Sequence, residues 1–334
     1  MAKRRSFAFV GHKNVERAVR ARLLDAGYQY VQEPAAADVV VTYCTSLTQL
    51  EDVCYERDGL VQSARSGSLI IDLSPSTPSF ARELSAVSTV HDIAAVEAPL
   101  VVVDPTPADA FADKDNLACF VGGEEDEVER AMPVVECIAG TVTVTGGVGS
   151  AQLARAAYSL QSCAQVVSAI EADALYRAFR LSPFSSGQVE GRAGALTPLG
   201  HAVLQAIDTG SFSGTYTTEM FMAELSASLT AADDYDLILP QAESVMQLLE
   251  ILAVIGGSDM APTALSLIYD EESACAEHGL DWSRAEQAFG ESHGGDDGHD
   301  QGHAHDDDYG DYDDFDFGYD EGMSGGRYPD YSSN

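Results

Sequence analysis

The sequence predicts an α/β fold: an N-terminal doubly wound sheet over 1–146, an all-helical domain over 147–290, and a disordered acidic tail over 291–334. In the first part, short runs of β-branched residues alternate with helical patterns, which is typical of a parallel sheet covered by helices. In the second part, apolar residues recur at spacings of three and four. The tail is dominated by aspartate and glycine, so it cannot bury enough apolar surface to offset its ordering entropy.

Six short apolar runs are the predicted strands of the first part: 6–11, 28–33, 38–43, 68–73, 98–104 and 117–121. The first helix follows the first strand, because Val15, Val19 and Leu23 share one helical face. Gly27 is expected to end this helix, since glycine readily adopts the left-handed backbone found at helix ends. Strands separated by helices of this kind predict βαβ units and therefore parallel pairing.

The second part begins with a long predicted helix. No glycine or proline interrupts 150–182, and Leu153, Ala157 and Leu160 follow the helical spacing. Pro183 is expected to end the helix, because proline lacks the backbone donor that would continue it. Further helices are predicted over 217–232, 241–255 and 262–278.

The tail over 291–334 carries 14 acidic residues and only one basic residue. Imidazole together with carboxylate suits Zn, Ni or Co, and four histidines lie among its aspartates: His293, His299, His303 and His305. A low-complexity acidic segment is also typical of a solubilising or partner-binding arm. We therefore expect weak transition-metal binding or a protein partner at the tail, and the sequence does not decide between them.

The charge balance excludes some partners. The chain has 54 acidic and 18 basic residues, and its formal net charge of −36 repels a nucleic-acid backbone. No apolar run is long enough to cross a bilayer, and the first apolar run ends at Gly11, too early for a signal peptide. The six cysteines form no C-x-x-C pair and are expected as buried thiols. We expect a cytoplasmic protein without nucleic-acid or membrane partners.

Several motifs follow one another in a recognisable order. They are a first strand ending in Gly11, GSLIIDLSPSTP at 67–78, EAPL at 97–100, CFVGG at 119–123, GGVGSA at 146–151 and EADAL at 171–175. In order and spacing they resemble the β-hydroxyacid dehydrogenases, which include the 3-hydroxyisobutyrate dehydrogenases, over roughly 6–287. The resemblance implies an NAD(P)-binding Rossmann domain, a helical domain that pairs in a homodimer, and hydride transfer to or from a small β-hydroxyacid.

The phosphate loop departs from that family. A dinucleotide fingerprint uses three glycines, for a tight turn, for approach of the pyrophosphate, and for helix–strand packing. The loop in this chain keeps only the first of them and reads Gly11, His12, Lys13, Asn14, Val15, Glu16. Glu16 adds negative charge at the helix end that a phosphate would use. Either Lys13 and Arg17 bind phosphate by charge instead, or they form an ordinary solvated helix face.

Other candidate cofactor contacts follow the predicted strands. Glu33 ends the second strand, where a carboxylate bonds a ribose hydroxyl. No arginine lies between Leu23 and Arg57 to hold a 2′-phosphate. Four more candidates would face the cofactor on the family pattern: Tyr43, Cys44, Thr45 and Ser74. We therefore expect NAD in preference to NADP, or no cofactor if the altered loop has abolished binding.

The substrate loop differs as well. The resemblance implies a Ser-Gly-Gly after the EAPL-like element, whose backbone and hydroxyl bind the substrate carboxylate. This chain has three valines at 101–103 instead. The carboxylate-binding group is therefore expected to be missing.

The catalytic group is the largest departure. The family has a lysine on the long helix and an asparagine one turn later. Counted from Gly147 and Gly149, those positions are Leu153 and Ala157, and the helical domain contains no lysine. The catalytic residue is left unknown. Three substitutes are considered, and for each a core or surface role is favoured over a catalytic one: Arg155, Tyr158 and His201.

Two functions stay open at this point. One is an NAD(P)-dependent oxidoreductase with a changed substrate and a replaced proton donor. The other is a non-catalytic dinucleotide- or partner-binding scaffold whose acidic tail holds a metal ion or a protein.

Overall fold

The computed structural model describes residues 5–181 and 197–290. These residues fall within a single unit of internal contacts. The first part is a sheet with helices on both faces, as the sequence predicts. The strands are β1 (Ser6–Gly11), β2 (Gln29–Tyr30), β3 (Val39–Tyr43), β4 (Leu69–Asp72), β5 (Ala94–Glu97), β6 (Leu100–Val102), β7 (Leu117–Gly122) and β8 (Thr141–Gly146).

Five strands form the parallel core of the sheet, in the order β2-β1-β3-β4-β5. Their carboxyl ends share one edge, which is where doubly wound folds bind their ligands. Phe7 of β1 pairs with both Tyr30 of β2 and Val39 of β3. The first strand therefore lies inside the sheet, and its end at Gly11 is flanked by neighbours on both sides.

The sheet is not wholly parallel, which corrects the sequence prediction. β7 runs antiparallel to β5 and β6 and parallel to β8. Glu97 faces Gly122 and Leu100 faces Cys119, so β5 and β6 follow β7 in one continuous register across Pro99. The EAPL motif thus interrupts what would otherwise be one long strand paired with β7. After this interruption, β6 extends beyond the carboxyl ends of the parallel strands.

Two apolar layers cover the sheet. On one face α1 (Lys13–Asp25) and α5 (Glu125–Ile138) pack against Val39 and Val41 of β3. On the other face α2 (Leu47–Tyr55), α3 (Leu60–Ser63) and α4 (Pro78–Val90) pack on Val40. Alternate residues of one strand are buried on opposite faces, as expected for a doubly wound sheet.

The long helix α6 (Ser150–Leu181) confirms the prediction for 150–182 almost to the residue. It packs against α7 (Pro198–Asp208), α8 (Thr218–Asp233) and α9 (Pro240–Leu252). A π-helical turn over Ala253–Gly257 follows α9, and Pro262–Tyr269 is a 3-10 helix. The chain then forms α10 (Glu272–Glu277) and α11 (Ser283–Gly290). Among the described helices, none is long and apolar enough to cross a bilayer.

Candidate functional site

The turn after β1 keeps one feature of a phosphate loop. Gly11 has a φ of +132°, and a Cβ there would collide with the carbonyl oxygen of Tyr43. Glycine is therefore required for the close approach of β1 to the end of β3. The backbone N–H of His12 donates to the same carbonyl at 2.8 Å, which fixes the chain direction into α1.

His12 caps the helix that follows. Its Nδ1 accepts a hydrogen bond from the backbone N–H of Asn14 at 3.3 Å. Burial lowers the pKa of His12, which favours the neutral imidazole that this acceptor role needs. One N–H at the positive end of α1 is therefore used by the protein itself, in a place where a Rossmann loop offers donors to phosphate.

Two side chains of the loop are tied to other parts of the chain. The Nδ2 of Asn14 donates to the carbonyl of Thr215 at 2.9 Å. Arg17 forms an exposed ion pair with Asp109 at 2.9 Å, and Asp109 also accepts from the hydroxyl of Thr215. Lys13 is exposed. Val15 is buried in the α1 layer, so it contributes packing and not a ligand contact.

The chain just after the carboxyl end of β3 contacts the helical domain. The Thr45 hydroxyl donates to the Glu219 carboxylate at 2.8 Å. Beside this contact lies an open cavity of about 490 Å³, lined by Thr45, Glu219, Met222, Ala223, Ser226, Leu229, Met246, Glu250, Ala253 and Ser258. Glu33 is exposed and lies three residues after the end of β2 at Tyr30, and not at the end of the strand as expected.

Three expected cofactor contacts are buried instead. The side chains of Tyr43, Cys44 and Ser74 are at most 1% exposed. Ser74 Oγ accepts from the backbone N–H of Cys44 at 2.9 Å, and burial raises the pKa of the Cys44 thiol to about 12. The strand ends of β3 and β4 therefore bond to each other, and these side chains do not face an open cleft.

Glu97 occupies the amino end of the long helix. Its carboxylate accepts from the backbone N–H groups of Gly149 at 2.5 Å, Ala151 at 3.1 Å and Gln152 at 3.0 Å. Burial raises the pKa of Glu97, while these three donors act in the opposite direction. A carboxylate at a helix N-terminus is stabilised by the helix dipole. This element of the EAPL motif is thus a helix cap.

The register expected for the catalytic lysine is wrong in the structure. Leu153 is 56% exposed and Ala157 is also exposed, so both lie on the outer face of α6. The inward positions with the same spacing are Arg155 and Ser159, both buried. These two positions are obtained when the spacing to the lysine and asparagine is counted from Ala151 and not from Gly149. In that count, Ala151 stands in the place of the second glycine of the turn.

Arg155 is fully buried and forms the centre of a polar network. Its Nε donates to Gln152 Oε1 at 3.0 Å and its Nη2 to the carbonyl of Ser76 at 3.1 Å. Its Nη1 donates to the carbonyl of Glu224 at 2.8 Å and to Ser228 Oγ at 3.2 Å. Burial lowers the pKa of Arg155 to about 10, so the guanidinium stays charged at neutral pH.

Glu224 is the acidic member of the network. Its carboxylate accepts from Tyr216 at 2.6 Å and from Ser159 at 2.9 Å. Burial raises the pKa of Glu224, and the hydrogen bonds and the Arg155 charge counteract part of that rise. The sequence analysis missed this residue. Its signal is a glutamate between Ala223 and Leu225, on a buried face of α8 whose other members are apolar or carry only a hydroxyl.

The substrate loop is apolar, as expected. Val101 and Val102 are buried within β6, and Val103 is exposed. Beyond them lies a cavity of about 340 Å³, lined by Val103, Asp104, Tyr158, Gln161, Ser162, Gln165, Pro198 and Leu199. Burial raises the pKa of Tyr158 to about 12. His201, the third substitute considered, is exposed on α7.

The structure describes the cysteines but not the histidines of the tail. His293, His299, His303 and His305 lie outside the described residues. Over 5–181 and 197–290, no group of three or more metal-binding side chains comes together. All six cysteines are free, and five of them are buried, as the sequence predicts.

Comparisons with known proteins agree with the fold. Residues 7–147 match the family model described as the NAD binding domain of 6-phosphogluconate dehydrogenase. An uncharacterized oxidoreductase of Bacillus subtilis, YkwC, is 25% identical over 66% of this chain and 75% of its own length. A probable mitochondrial 3-hydroxyisobutyrate dehydrogenase of Dictyostelium discoideum is 27% identical over 42% of this chain. The match spans only 43% of that relative's length.

A solved structure shares the architecture across both parts. The 3-hydroxyisobutyrate dehydrogenase of Mycobacterium tuberculosis has a TM-score of 0.61 and 22% identity to this chain. The match covers 80% of this chain and all of that one. The first part of the chain is thus similar to an NAD binding domain, and the fold of both parts is that of this dehydrogenase.

Proposed function

We propose that this chain is an NAD-dependent oxidoreductase that acts on a small neutral or cationic carbonyl or imine compound, and not on a hydroxyacid anion. The observation that carries the proposal is the cavity beside Tyr158. It lies beyond the carboxyl edge of the parallel strands, the region where doubly wound folds bind their ligands. It has a hydroxyl donor in its wall and no cation among its lining residues.

The turn at Gly11 fits a nicotinamide dinucleotide in part. The glycine keeps the tight approach, and exposed Lys13 supplies positive charge at the amino end of α1. Glu33 is suited to hydrogen-bond the ribose hydroxyls and to disfavour a 2′-phosphate. When bound, the cofactor supplies or accepts the hydride. The missing glycines and the His12 cap favour weaker binding than an intact fingerprint gives.

The charge of the cavity argues against a carboxylate substrate. Asp104 contributes a carboxylate to the wall, and the valines over 101–103 offer neither a hydroxyl nor a glycine backbone. A hydroxyacid anion would lose hydration here and gain no charged partner. A neutral carbonyl compound has no charge to desolvate in this cavity. A protonated imine is a cation and is attracted by the Asp104 carboxylate.

Tyr158 supports the proton transfer. Its raised pKa keeps the hydroxyl protonated at neutral pH. The hydroxyl donates to the Val102 carbonyl at 3.5 Å, a long hydrogen bond that it can exchange for an oxygen or nitrogen that receives a hydride on the adjacent carbon. In the reduction direction a neutral C=O or C=N bond gains the hydride at carbon and the Tyr158 proton at the heteroatom, whereas a protonated imine already carries its proton and needs only the hydride. Solvent then returns the proton to the tyrosine. Arg155 cannot take this role because its donors are bonded within the protein.

The test has two stages. NADH and NADPH are titrated by nicotinamide fluorescence, and then reduction of neutral aldehydes and cyclic imines is compared with oxidation of 3-hydroxyisobutyrate. We expect dinucleotide binding and faster turnover of the neutral or cationic compounds. Tyr158→Phe should lower kcat by about 10²-fold without changing dinucleotide affinity. Tyr235→Phe, at a site 60% exposed, is the matched control. Faster turnover of 3-hydroxyisobutyrate contradicts the proposal.

A non-catalytic role is the second candidate, and the burial of Arg155 favours it. A catalytic group must reach the substrate, whereas the only basic side chain on the inward face of the first turns of α6 is wholly engaged in holding the protein together. Dinucleotide binding with no turnover of any of the three substrate classes would support this scaffold function.

We also propose a homodimer formed through the helical domain. Four large apolar side chains of α6 are exposed: Leu153, Leu175, Phe179 and Leu181. Such residues on one helix are typical of a surface that pairs. Light scattering after size exclusion should give twice the chain mass for the wild type and the single-chain mass for Leu175→Glu. Val90→Glu, at an exposed site of α4, should leave the mass unchanged.

A further inference from the structure

The first turn of α1 carries a carboxylate that the family fingerprint does not have. Glu16 stands at the third glycine position of the loop, in the first turn of the helix. Its side chain turns toward β2, where the hydroxyl of Tyr30 donates to Glu16 Oε1 at 3.2 Å. The Glu16 side chain is 31% exposed, so its charge acts on the solvent-facing groove between α1 and β2.

An arginine shares this groove. The Arg20 guanidinium lies over the Tyr30 ring, 3.9 Å from the ring centroid, and Tyr30 is supported from below by an edge contact with Phe7 at 5.4 Å. Arg20 Nη1 is also 3.9 Å from Glu16 Oε1. The sequence expectation of NAD over NADP rested on Glu33 and on the lack of an arginine after Leu23. It left out the arginines of α1 as partners for a 2′-phosphate.

Arg20 and Glu33 act in opposite directions on cofactor choice. An arginine near the end of the second strand accommodates the 2′-phosphate of NADP, whereas a carboxylate there favours the free hydroxyl of NAD. The Arg20 side chain is 47% exposed and has length enough to turn toward solvent from its place over Tyr30. Its charge would thus be available to a 2′-phosphate if nothing opposed it.

We propose that Glu16, placed by Tyr30 against Arg20, offsets the Arg20 charge and thereby makes this chain select NAD over NADP. The inference rests on the dinucleotide binding proposed above. Glu16 acts in two ways: it repels a 2′-phosphate directly, and it engages Arg20. Two carboxylates, Glu33 and Glu16, thus act together to favour NAD over NADP.

The test is a double-mutant cycle read by cofactor affinity. Dissociation constants for NADH and NADPH are measured by nicotinamide fluorescence on full-length wild type, Glu16→Gln, Arg20→Gln and the double variant. We expect the wild type to bind NADH at least about tenfold more tightly than NADPH. Removing one carboxylate charge near a doubly charged phosphate should strengthen NADPH binding by about three- to tenfold. NADH binding should change by less than about twofold.

The double variant separates the two effects of Glu16. If Glu16 acts through Arg20, adding Arg20→Gln to Glu16→Gln should remove most of the gain in NADPH affinity. Glu243→Gln, an exposed glutamate on α9, is the control for net charge and should leave the affinity ratio unchanged. Because Glu16 is partly buried, thermal unfolding of each variant confirms that it is folded.

The outcomes are distinguishable. If Glu16→Gln changes the ratio of NADH affinity to NADPH affinity by less than about twofold, this inference is overturned. The proposed function is unaffected by that result. If Glu16→Gln changes the NADH-to-NADPH affinity ratio by the same factor in the wild type and in Arg20→Gln, the role assigned to Arg20 is overturned. Folded wild type that binds neither dinucleotide overturns the proposed function and this inference with it.

Discussion

Arg155 and Glu224 are joined by a hydrogen bond from Arg155 Nη1 to the Glu224 backbone carbonyl at 2.8 Å. The same guanidinium donates to the Ser76 carbonyl at 3.1 Å, so one side chain connects α6, α8 and the loop after β4. The contact crosses from the helical domain to the sheet. A buried arginine used in this way fixes the relative position of the two halves of the described chain.

Replacing Arg155 with methionine should destabilise the protein by about 3–5 kcal/mol, because the partners of a buried charge are left without donors. The measurement is urea unfolding followed by circular dichroism. Arg284→Met is the matched control, since Arg284 is exposed and forms only a loose pair with Asp281. Its effect should stay within about 0.5 kcal/mol. Equal losses for both variants would contradict the structural role of Arg155.

Leu153→Lys tests the register of the long helix. If Leu153 were the position of the family lysine, the substitution would restore proton transfer and oxidation of 3-hydroxyisobutyrate with NAD. Because Leu153 lies on the outer face of α6, we expect no gain in rate. The rate is followed by nicotinamide absorbance. A large gain in turnover would show that the outer face of α6 meets the substrate.

The lysine register could not be predicted from sequence because α6 is rich in small residues on several faces. Alanine and serine occur both inside and outside, so composition does not identify the buried face. The helix itself was predictable, since 150–182 lacks glycine and proline and the structure ends it at Leu181. Its inward polar residues, Arg155 and Ser159, are revealed only by contacts with α8 and with Ser76.

The sheet shows a similar division. The parallel strands through β4 were predictable from their β-branched runs. β5 and β8 are not among the predicted strands. Ala94 and Ala95 of β5 have weak strand preference, whereas the Thr-Val alternation of β8 is a strand pattern that the prediction overlooked. The antiparallel direction of β7 depends on the continuous β5–β6 line along it. Pairing between distant segments of this kind leaves no local signal.

The loop glycine gives a prediction with an internal control. Gly11→Ala should cost more than about 1 kcal/mol, because its φ of +132° disfavours any side chain and a Cβ would meet the Tyr43 carbonyl. Gly147→Ala should be nearly neutral, since nothing lies within 4 Å of a Cβ there and its φ is not positive. Unfolding midpoints in urea measure both. A cost at Gly147 equal to that at Gly11 would rule out the steric explanation.

Glu224 predicts a pH dependence of stability. Burial raises the pKa of this carboxyl in the folded state, so the folded protein holds its proton above the pH at which the unfolded chain releases it. The free energy of unfolding therefore falls as pH rises from the ordinary pKa of a glutamate through the raised one. Glu224→Gln carries no such proton and lacks this slope.

The measurement is the free energy of unfolding of wild type and Glu224→Gln in urea, from about pH 5 to about pH 8. The advantage of the wild type over the variant should be largest at the acid end and should shrink toward the alkaline end. Other titrating groups are common to both proteins and cancel in the difference, and Arg155 keeps its charge throughout because its pKa is about 10. Glu243→Gln, at an exposed site of α9, is the matched control for the loss of one glutamate. If the wild-type advantage grows with pH, the ion-pair attraction of Arg155 outweighs burial, and Glu224 is a carboxylate in the folded protein.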